Sequence, residues 1–334
     1  MRLAFCAALL LSACALGDDG APEPARATAT AAAPAGQLWV GNKGEDTVSV
    51  IDLASGEEID RLPTSHGAPH EIAPSPDGSR VAVVNYADHH IDIFSAATRQ
   101  RLDTIDLGEN TRPHGLVWLE DGRIIATTEG NRSIVEIAPD GTQTTIRTGE
   151  DGTHMLAVGA NGRRAFTANL GAGTVSLIDL QTDSLIKTVP AGAGTEGIAL
   201  TPDGRELWVS NRSANTVIVF DADDLSERAR IPVGRFPLRL LISPDGRTAV
   251  TSDLLDGGLT LIDVPTRAVR AQLPVAGPDA NSQQVTLLFN ADGSRLYVAE
   301  TGTDTVAEVD MAAGRVLRRF AVGRQGDGLA IVKP

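Results

Sequence analysis

Short runs of alternating apolar and polar residues fill the chain from Gln37 onward, and none of them has helical periodicity. The clearest stretch, residues 197–234, contains four such runs separated by turn signals such as Pro202-Asp203-Gly204. Alternation with a period of two, bounded by Gly, Pro, Asp and Asn, is typical of β-strands joined by tight turns. The pattern therefore predicts a unit of four short antiparallel strands.

This four-stranded unit recurs seven times along the chain. The third strand of each copy is a run such as TVSVID at 47–52 or TVIVFD at 216–221, and successive runs end 41 to 47 residues apart. Four-stranded units of this period are the signature of propeller blades. The sequence thus predicts an all-β fold, a seven-bladed β-propeller of four-stranded antiparallel blades, over residues 37–334.

The two ends of the repeat region complement each other. The region begins at Gln37 with a second strand and ends at Gly328–Val332 with a first strand that has no successor. We expect this C-terminal strand to join the N-terminal blade and close the ring, because a closed ring leaves no free sheet edge.

Several pieces of the repeat resemble a known family. LWVGN at 38–42, LWVSN at 207–211 and LYVAE at 296–300, with the SPDG and TPDG turns, are similar to the repeat of YVTN-type seven-bladed propellers of bacteria and archaea. The resemblance covers residues 37–334 and implies the propeller fold. It selects no function, since that repeat occurs in surface-layer proteins, lactonase-like enzymes and haem d1 domains alike.

The N-terminal segment predicts export. Residues 1–14 have a basic start, a short apolar run and the sequence LSAC, which resembles a lipobox with Cys14 as the lipidated residue. An ordinary signal peptide is the alternative. Residues 15–36 are rich in Ala, Pro and Thr and are expected to form a disordered tether. Because Ala15 rather than an aspartate follows Cys14, we expect a periplasmic, lipid-anchored protein, with the outer membrane favoured.

Charge and cysteine content restrict the partners. The formal net charge is -14, from 43 acidic and 29 basic residues, so nucleic acid is not expected to bind. The membrane is expected to be contacted through the N-terminal lipid only. Since Cys6 and Cys14 both precede the propeller, disulfides and thiolate chemistry are excluded from it.

Histidines recur where the inner strands are expected to begin. Aligning the blades on their turns places one residue of each blade at the rim of the central channel. These residues are His70, His114, His154, Glu196, Leu238, either Gln284 or Val285, and Asp327. Three imidazoles and a carboxylate on successive blades suit a divalent transition metal such as Zn, Fe, Cu or Mn.

We therefore predict a mononuclear metal site formed by His70, His114, His154 and Glu196. Glu196 and Asp327 are the candidate catalytic residues, Glu196 as ligand or general base and Asp327 as an acid or base across the channel. Two alternatives stay open. The ring is a water-filled polar funnel that binds nothing, or it is a metal-free acid–base or substrate-binding site.

Other polar residues near the rim carry weaker predictions. His66 is either an outer partner of His70 or a solvated loop residue, and His89 and His90 are expected to be exposed. Three arginines either bind an anionic ligand or pair with surface carboxylates: Arg112, Arg235 and Arg239. Four asparagines at strand ends are expected to cap turns: Asn42, Asn85, Asn169 and Asn211.

Three function classes follow. The first is a metalloenzyme that acts on a small molecule at the top face of the disc. The second is a non-catalytic binding or scaffold propeller with a protein ligand on that face. The third is a lactonase-like hydrolase, because PHEIAPSPDG at 69–78 and PHGL at 113–116 are similar to segments of lactonase-type propellers. The sequence has no GxSxG, CxxC or HExxH motif to select another chemistry.

Overall fold

Seven four-stranded antiparallel sheets follow one another around a ring. The structure is a computed structural model that describes residues 35–277 and 281–333. The predicted all-β, seven-bladed propeller is confirmed. The predicted signal peptide and the tether up to residue 34 lie outside the described residues. Gly36, at the predicted end of the tether, accepts a hydrogen bond from the Leu53 amide at 2.9 Å.

Each blade contributes one strand to each of four layers, counted from the channel outward. The inner strands are β4 (Pro69–Pro74), β8 (Pro113–Trp118), β12 (Thr153–Val158), β16 (Thr195–Leu200), β20 (Pro237–Ile242), β24 (Gln284–Phe289) and β28 (Gly326–Val332). The second strands are β1 (Gln37–Asn42), β5 (Arg80–Asn85), β9 (Ile124–Thr128), β13 (Arg164–Asn169), β17 (Glu206–Asn211), β21 (Thr248–Asp253) and β25 (Arg295–Glu300).

The two remaining layers complete the blades. The third strands are β2 (Thr47–Asp52), β6 (His90–Ser95), β10 (Ser133–Ile137), β14 (Thr174–Asp179), β18 (Thr216–Asp221), β22 (Gly258–Asp263) and β26 (Thr305–Asp310). The outer strands are β3 (Glu58–Pro63), β7 (Arg101–Asp106), β11 (Gln143–Arg147), β15 (Ser184–Pro190), β19 (Glu227–Pro232), β23 (Ala268–Pro274) and β27 (Arg315–Ala321). A single-turn 3-10 helix spans Glu129–Asn131.

The connections alternate between the two faces of the disc. Every inner strand begins at one face, called here the mouth face, and ends at the opposite face, where a hairpin leads from each of β4, β8, β12, β16, β20 and β24 to its second strand. The loops between second and third strands, and the connections between blades, therefore lie on the mouth face. No helix within the described residues has the length and apolar character needed to cross a membrane.

The C-terminal strand closes the ring as predicted. Strand β28 pairs with β1 in antiparallel register from Gln37–Val332 to Asn42–Gly326, so it forms the inner strand of the first blade. It begins two residues earlier than the sequence suggested. At Gly328, a Cβ would lie 1.8 Å from the carbonyl oxygen of His70. Only glycine therefore lets β28 approach β4 this closely.

Apolar side chains fill the space between neighbouring blades. Trp39, Trp208 and Tyr297 on second strands are completely buried, and each belongs to a cluster that spans two sheets. Alternate residues of a strand point to opposite faces of its sheet, so each blade packs on both neighbours. Inner strands also contact the inner strands of adjacent blades, which brings their first residues together around the channel.

A local backbone feature fixes how each inner strand starts. The residue before every inner strand has a left-handed conformation, with φ between +47° and +71°, although five of the seven are not glycine. These residues are Ala68, Arg112, Gly152, Gly194, Phe236, Gln283 and Gln325. The strand pairing then shifts register after its first residue, which places the second residue of each inner strand in a β-bulge. Bulges of this kind redirect side chains toward a site.

The strand-end asparagines are buried, and their side chains hydrogen-bond to their own blade or to the connection before it. Asn42 Nδ2 donates to Thr47 Oγ1 at 3.0 Å and to Ser49 Oγ at 2.8 Å, and Ser49 Oγ also accepts from the Gly323 amide. These bonds join the second and third strands to the inter-blade connection. In the sixth blade the equivalent residue is Asp253, which accepts from Thr251 and Thr260. Burial raises the pKa of Asp253 to about 6.

We expect Asp253→Asn to stabilise the protein at pH 8. Because the folded-state pKa lies above the ordinary value of 3.8, ionisation of Asp253 opposes folding as pH rises through this range. The amide removes that cost and reproduces the bonding seen at Asn42. The expected gain in the free energy of unfolding is about 1–3 kcal/mol at pH 8, and it should fade toward pH 4. Urea denaturation at both pH values measures it.

The matched control is Asp256→Asn in the same loop. Its carboxylate accepts hydrogen bonds from the Arg235 amide and guanidinium at 2.6 Å, and although burial opposes this, these bonds lower the pKa of Asp256. The control should therefore be neutral or destabilising at pH 8. A loss of stability at pH 8 in Asp253→Asn would contradict the interpretation.

Candidate functional site

The second residues of the inner strands form a ring at the mouth of the channel, called here the inner ring. Its members are Asp327, His70, His114, His154, Glu196, Leu238 and Val285. The register assigns Val285 rather than Gln284 to this position, since Gln284 pairs with Glu300 as Pro69 pairs with Asn85. All seven residues are at least nine-tenths buried. The ring of the sequence prediction therefore exists as a contiguous set.

The three predicted histidines lie side by side with their ring planes tilted by 48° and 36°, in a row called here the stack. The ring centroids of His70 and His114 are 4.1 Å apart, and those of His114 and His154 are 3.7 Å apart. His154 Nε2 then faces Glu196 Oε1 at 3.3 Å. The structure thus brings the four predicted metal ligands together in the order of their blades.

Carboxylates hold the two outer histidines of the stack. His154 Nδ1 contacts Glu129 Oε1, and His70 Nε2 lies 3.4 Å from Asp327 Oδ2. Within the described residues, one buried nitrogen of each histidine then has no hydrogen-bond partner: His70 Nδ1, His114 Nδ1 and His154 Nε2. A carboxylate on one imidazole nitrogen orients the ring and leaves the other nitrogen available as a ligand.

Arg239 lies between two carboxylates at the mouth, those of Glu71 and Glu196. Its guanidinium donates to Glu71 Oε1 at 2.8 Å and to Glu196 Oε1 at 3.2 Å, and the residue is 5% exposed. Of the two alternatives from the sequence, pairing with surface carboxylates is wrong, because both partners are buried at the channel. Arg112 and Arg235, in contrast, are mostly exposed and pair with Glu129 and Asp256.

A second tier of side chains lies over the inner ring. It consists of the residues that directly follow the second strands and is called here the outer ring: Lys43, Tyr86, Glu129, Leu170, Arg212, Leu254 and Thr301. Lys43 Nζ contacts Asp327 Oδ2 at 2.5 Å, and Arg212 Nη1 contacts Glu196 Oε2 at 2.7 Å. The Tyr86 ring lies 5.7 Å from that of His70. Four outer-ring residues therefore contact the inner ring directly.

The charges at the mouth balance. Four carboxylates, Glu71, Glu129, Glu196 and Asp327, form ion pairs with four basic residues, Lys43, Arg112, Arg212 and Arg239. Burial alone would raise the carboxyl pKa values, but attraction to these cations and to the histidines leaves the pKa of all four acids lowered. The carboxylates are therefore ionised at neutral pH.

The histidines differ in protonation. Burial, with His154 and His70 beside it, lowers the pKa of His114 well below its usual value. Burial opposes protonation of His154 too, but its contacts with Glu129 and Glu196 raise its pKa overall. His114 is thus a neutral imidazole in the middle of the stack, which is the form that binds metals.

One subset of these residues has the spacing of a metal site. Ligand atoms of His70, Glu71 and His114 all lie within 4.8 Å of one another, with His70 Nδ1 3.6 Å from Glu71 Oε1. That group does not extend to His154 or Glu196. The carboxylate nearest the His70–His114 pair is therefore Glu71, whereas Glu196 lies at the far end of the stack.

Sequence reasoning missed Glu71, Glu129, Lys43 and Tyr86 as parts of the site. Glu71 is adjacent to His70 and reaches the mouth because the bulge separates the two from the regular pairing. The other three share one register, the first residue after the second strand. The same alignment that predicted the inner ring contained this second ring as well.

A wide cavity lies away from the histidines. It measures about 970 Å³, lies toward the opposite face, and is lined by hairpin residues including Pro74, Asp77 and Trp118. Its lining includes none of the histidines. The buried ionisable cluster at the mouth is therefore separate from this cavity.

Fold and site together define a seven-bladed β-propeller with a buried polar cluster at one end of its channel. The family described as "Lactonase, 7-bladed beta-propeller" matches residues 185–268, which is a minor part of the chain. No curated protein sequence matches significantly.

Solved structures share the fold at low sequence identity. A functionally unknown protein from Desulfotomaculum acetoxidans DSM 771 is 14% identical, with a TM-score of 0.76 over 90% of this chain and 100% of that one. Hydrazine synthase of Kuenenia stuttgartiensis is 15% identical, with a TM-score of 0.70 over 81% of this chain and 97% of that one. These likenesses concern the fold alone.

Proposed function

We propose that the mouth of the channel binds one divalent transition metal and that the protein is a metalloenzyme acting on a small anionic molecule. The observation that carries the proposal is the group of His70, Glu71 and His114, whose ligand atoms lie within 4.8 Å of one another. Two buried nitrogens of this group, His70 Nδ1 and His114 Nδ1, have no hydrogen-bond partner among the described residues. Unsatisfied buried nitrogens are costly, and a metal ion such as Zn²⁺ would satisfy them.

The structure favours Glu71 over Glu196 as the carboxylate ligand. Glu71 lies within the 4.8 Å group that includes His70 and His114. Arg239 contacts only Oε1 of Glu71, whereas both oxygens of Glu196 accept hydrogen bonds from arginines, Oε2 from Arg212 and Oε1 from Arg239. His154, on the other side of His114, lies outside that group and would join the ligands only after its Nε2 gives up a proton and its contact with Glu196. Glu129 and Asp327 would act as positioning residues, since each contacts the far nitrogen of a histidine.

The charge balance at the mouth supports an anionic substrate. A divalent cation adds two positive charges to a cluster whose four acids and four bases already compensate one another. A carboxylate or phosphate group on the substrate would restore neutrality, with Arg112 and Lys43 at the entrance to attract it. When bound, the metal would act as a Lewis acid on that substrate or on water.

Replacing His114 tests the metal. We expect His114→Ala to weaken binding of Zn²⁺ at the mouth by about 100-fold or more, because loss of even an outer partner costs about 10–100-fold. Calorimetric titration of metal-free protein and elemental analysis after gel filtration measure affinity and stoichiometry. His89→Asn, which removes a histidine of the same face that is not a proposed ligand, is the matched control. Unchanged affinity in both variants would refute the proposal.

A metal-free lactone hydrolase is the second candidate. The lactonase-family match at 185–268 contains Glu196 and the two arginines that form ion pairs with it at the mouth, Arg212 and Arg239. There Glu196 would serve as general base and Arg239 would stabilise an oxyanion. Hydrolysis of a six-membered lactone that persists in EDTA would favour this candidate. Hydrolysis that EDTA abolishes and Zn²⁺ restores would favour the metalloenzyme, and no activity with either would favour a scaffold.

The location of the protein stays a proposal from its N-terminal sequence. We propose that the chain is exported and anchored through lipid on Cys14, with the propeller in the periplasm. A periplasmic propeller would meet small anionic molecules that diffuse between the two membranes.

A further inference from the structure

The three histidines outside the inner ring also meet at one place. His66 lies on the connection from β3 to β4, His89 ends the loop after β5, and His90 begins β6, so all three are on the mouth face. The rings of His66 and His90 stack with centroids 3.7 Å apart and planes 3° apart. The prediction that His90 is exposed is wrong, since its side chain is 14% exposed.

The hydrogen bonds around Ser65 fix the tautomer of His66. Ser65 Oγ lies 2.5 Å from Oδ1 of the fully buried Asp92 and 2.8 Å from His66 Nδ1. Its single proton goes to the carboxylate, since the charge-assisted bond is the stronger one. His66 Nδ1–H therefore donates to Ser65 Oγ, and the lone pair of the neutral imidazole is on Nε2.

That lone pair faces a carboxylate. His66 Nε2 and His90 Nδ1 each lie 3.6 Å from Asp88 Oδ2, and all three ligand atoms lie within 4.8 Å of one another. His90 Nδ1 is buried and has no hydrogen-bond partner among the residues that the structure describes. Two imidazole nitrogens and one carboxylate oxygen thus lie close together, and no hydrogen bond joins His90 Nδ1 to the other two atoms.

The environment of Asp88 differs from that of the channel mouth. Over residues 35–277 and 281–333, Asp88 forms ion pairs with histidines only, whereas each carboxylate of the mouth pairs with a lysine or arginine. His89 Nδ1 contacts Asp88 Oδ1 at 2.5 Å and orients the carboxylate so that Oδ2 faces the other two histidines. No lysine or arginine among the described residues pairs with Asp88. A cation bound by Asp88 would therefore not compete with a positively charged side chain for the carboxylate.

We propose that His66 Nε2, His90 Nδ1 and Asp88 Oδ2 form a second, independent binding site for a divalent transition metal such as Zn²⁺. In a tetrahedral zinc site with ligand bonds near 2.1 Å, ligand atoms are about 3.4 Å apart, which is close to the observed 3.6 Å. The parallel rings of His66 and His90 would tilt toward each other so that both nitrogens point at the ion. The fourth position faces solvent. The ion would clip the connection between the first two blades to the start of β6, and the site does not depend on the proposed function of the mouth.

Metal titration of the full chain tests the second site. We expect wild-type protein to bind two equivalents of Zn²⁺, and both His66→Ala and His90→Ala to lose one of them, with affinity at this site falling about 100-fold or more. His114→Ala should retain this equivalent. Nitrogen chemical shifts of the imidazoles provide a second readout, because Zn²⁺ should shift His66 Nε2 and His90 Nδ1 in wild type and in His114→Ala.

The outcomes separate the two metal proposals. Loss of one equivalent in His114→Ala, with none lost in His66→Ala or His90→Ala, would overturn the second site and leave the mouth. Loss in the latter two variants alone would support the second site and overturn the mouth. Circular dichroism of each variant establishes that it is folded, and His89→Asn, which removes no proposed ligand, should keep the Zn²⁺-dependent shifts.

Discussion

Arg239→Met should destabilise the protein by about 3–5 kcal/mol at pH 7, which is the usual cost of leaving a buried charge without its partner. Arg239 is 5% exposed and compensates Glu71 and Glu196. Glu196 keeps its ion pair with Arg212, whereas Glu71 loses its only arginine partner within the described residues. Urea denaturation measures the loss, and Arg239→Met with Glu71→Gln should recover much of it.

Arg235→Met is the matched control for this variant. Arg235 precedes the same inner strand, but its side chain is 67% exposed and pairs with Asp256 at the surface, so its removal should cost less than about 1 kcal/mol. Arg239→Met should also bind Zn²⁺ more tightly at the mouth, because it removes a positive charge beside the proposed ligands. Equal losses of stability in the two variants would contradict the buried network.

Removal of residues 326–334 should abolish cooperative folding. This segment is the inner strand of the first blade, and it buries Leu329, Ala330 and Val332 between neighbouring sheets. Each large apolar side chain contributes about 1.5–3 kcal/mol, and the pairing with β1 is lost as well. The total is comparable to the whole stability of a typical domain. Differential scanning calorimetry should show no sharp transition.

A circular permutant tests whether folding needs the pairing of β28 with β1 or only needs the chain to end where it does. Val332 pairs with Gln37, so a short turn can join residue 333 to Gln37 and make β28 the first strand of the chain. The permutant has the same closed ring and should unfold in one transition. A truncated protein that melts as sharply as the permutant would show that closure is unnecessary.

The repeat made the architecture predictable from the sequence. Seven runs such as TVSVID and TVIVFD fixed the blade count, and the unmatched ends at Gln37 and Val332 fixed the closing strand. Alternating apolar residues show which face of each strand is buried. The burial of apolar surface is the largest favourable contribution to folding. Element type and order followed directly from it.

The site was only partly predictable, for a reason of backbone geometry. The turn alignment located His70, His114, His154, Glu196 and Asp327, because equivalent positions of a repeat have equivalent surroundings. It assigned Leu238 to the sixth blade, yet Arg239 supplies the charge there. A strand with regular alternation would turn residues 238 and 239 to opposite faces, but the left-handed Phe236 and the following register shift change what the next residues face.

The contacts between the inner ring and the outer ring could not be predicted from the sequence pattern either. Whether Lys43 reaches Asp327, or Glu129 reaches His154, depends on side-chain conformations over a loop rather than on periodicity. The pairing of Ser65 with Asp92, which sets the His66 tautomer, joins a connection to a strand 27 residues later. A single sequence holds no record of such pairings.

The hairpins between inner and second strands lie on the face opposite the mouth. The molecule can therefore be attached to a surface through that face while the mouth stays accessible for binding measurements. The SPDG and TPDG hairpins all lie away from the mouth, and the side chain of Arg205 beside one of them is 85% exposed. Both native cysteines precede residue 35, so Arg205→Cys gives the propeller a single thiol handle. Coupled to a sensor chip through that sulfur, the disc would lie with its histidines facing the flow.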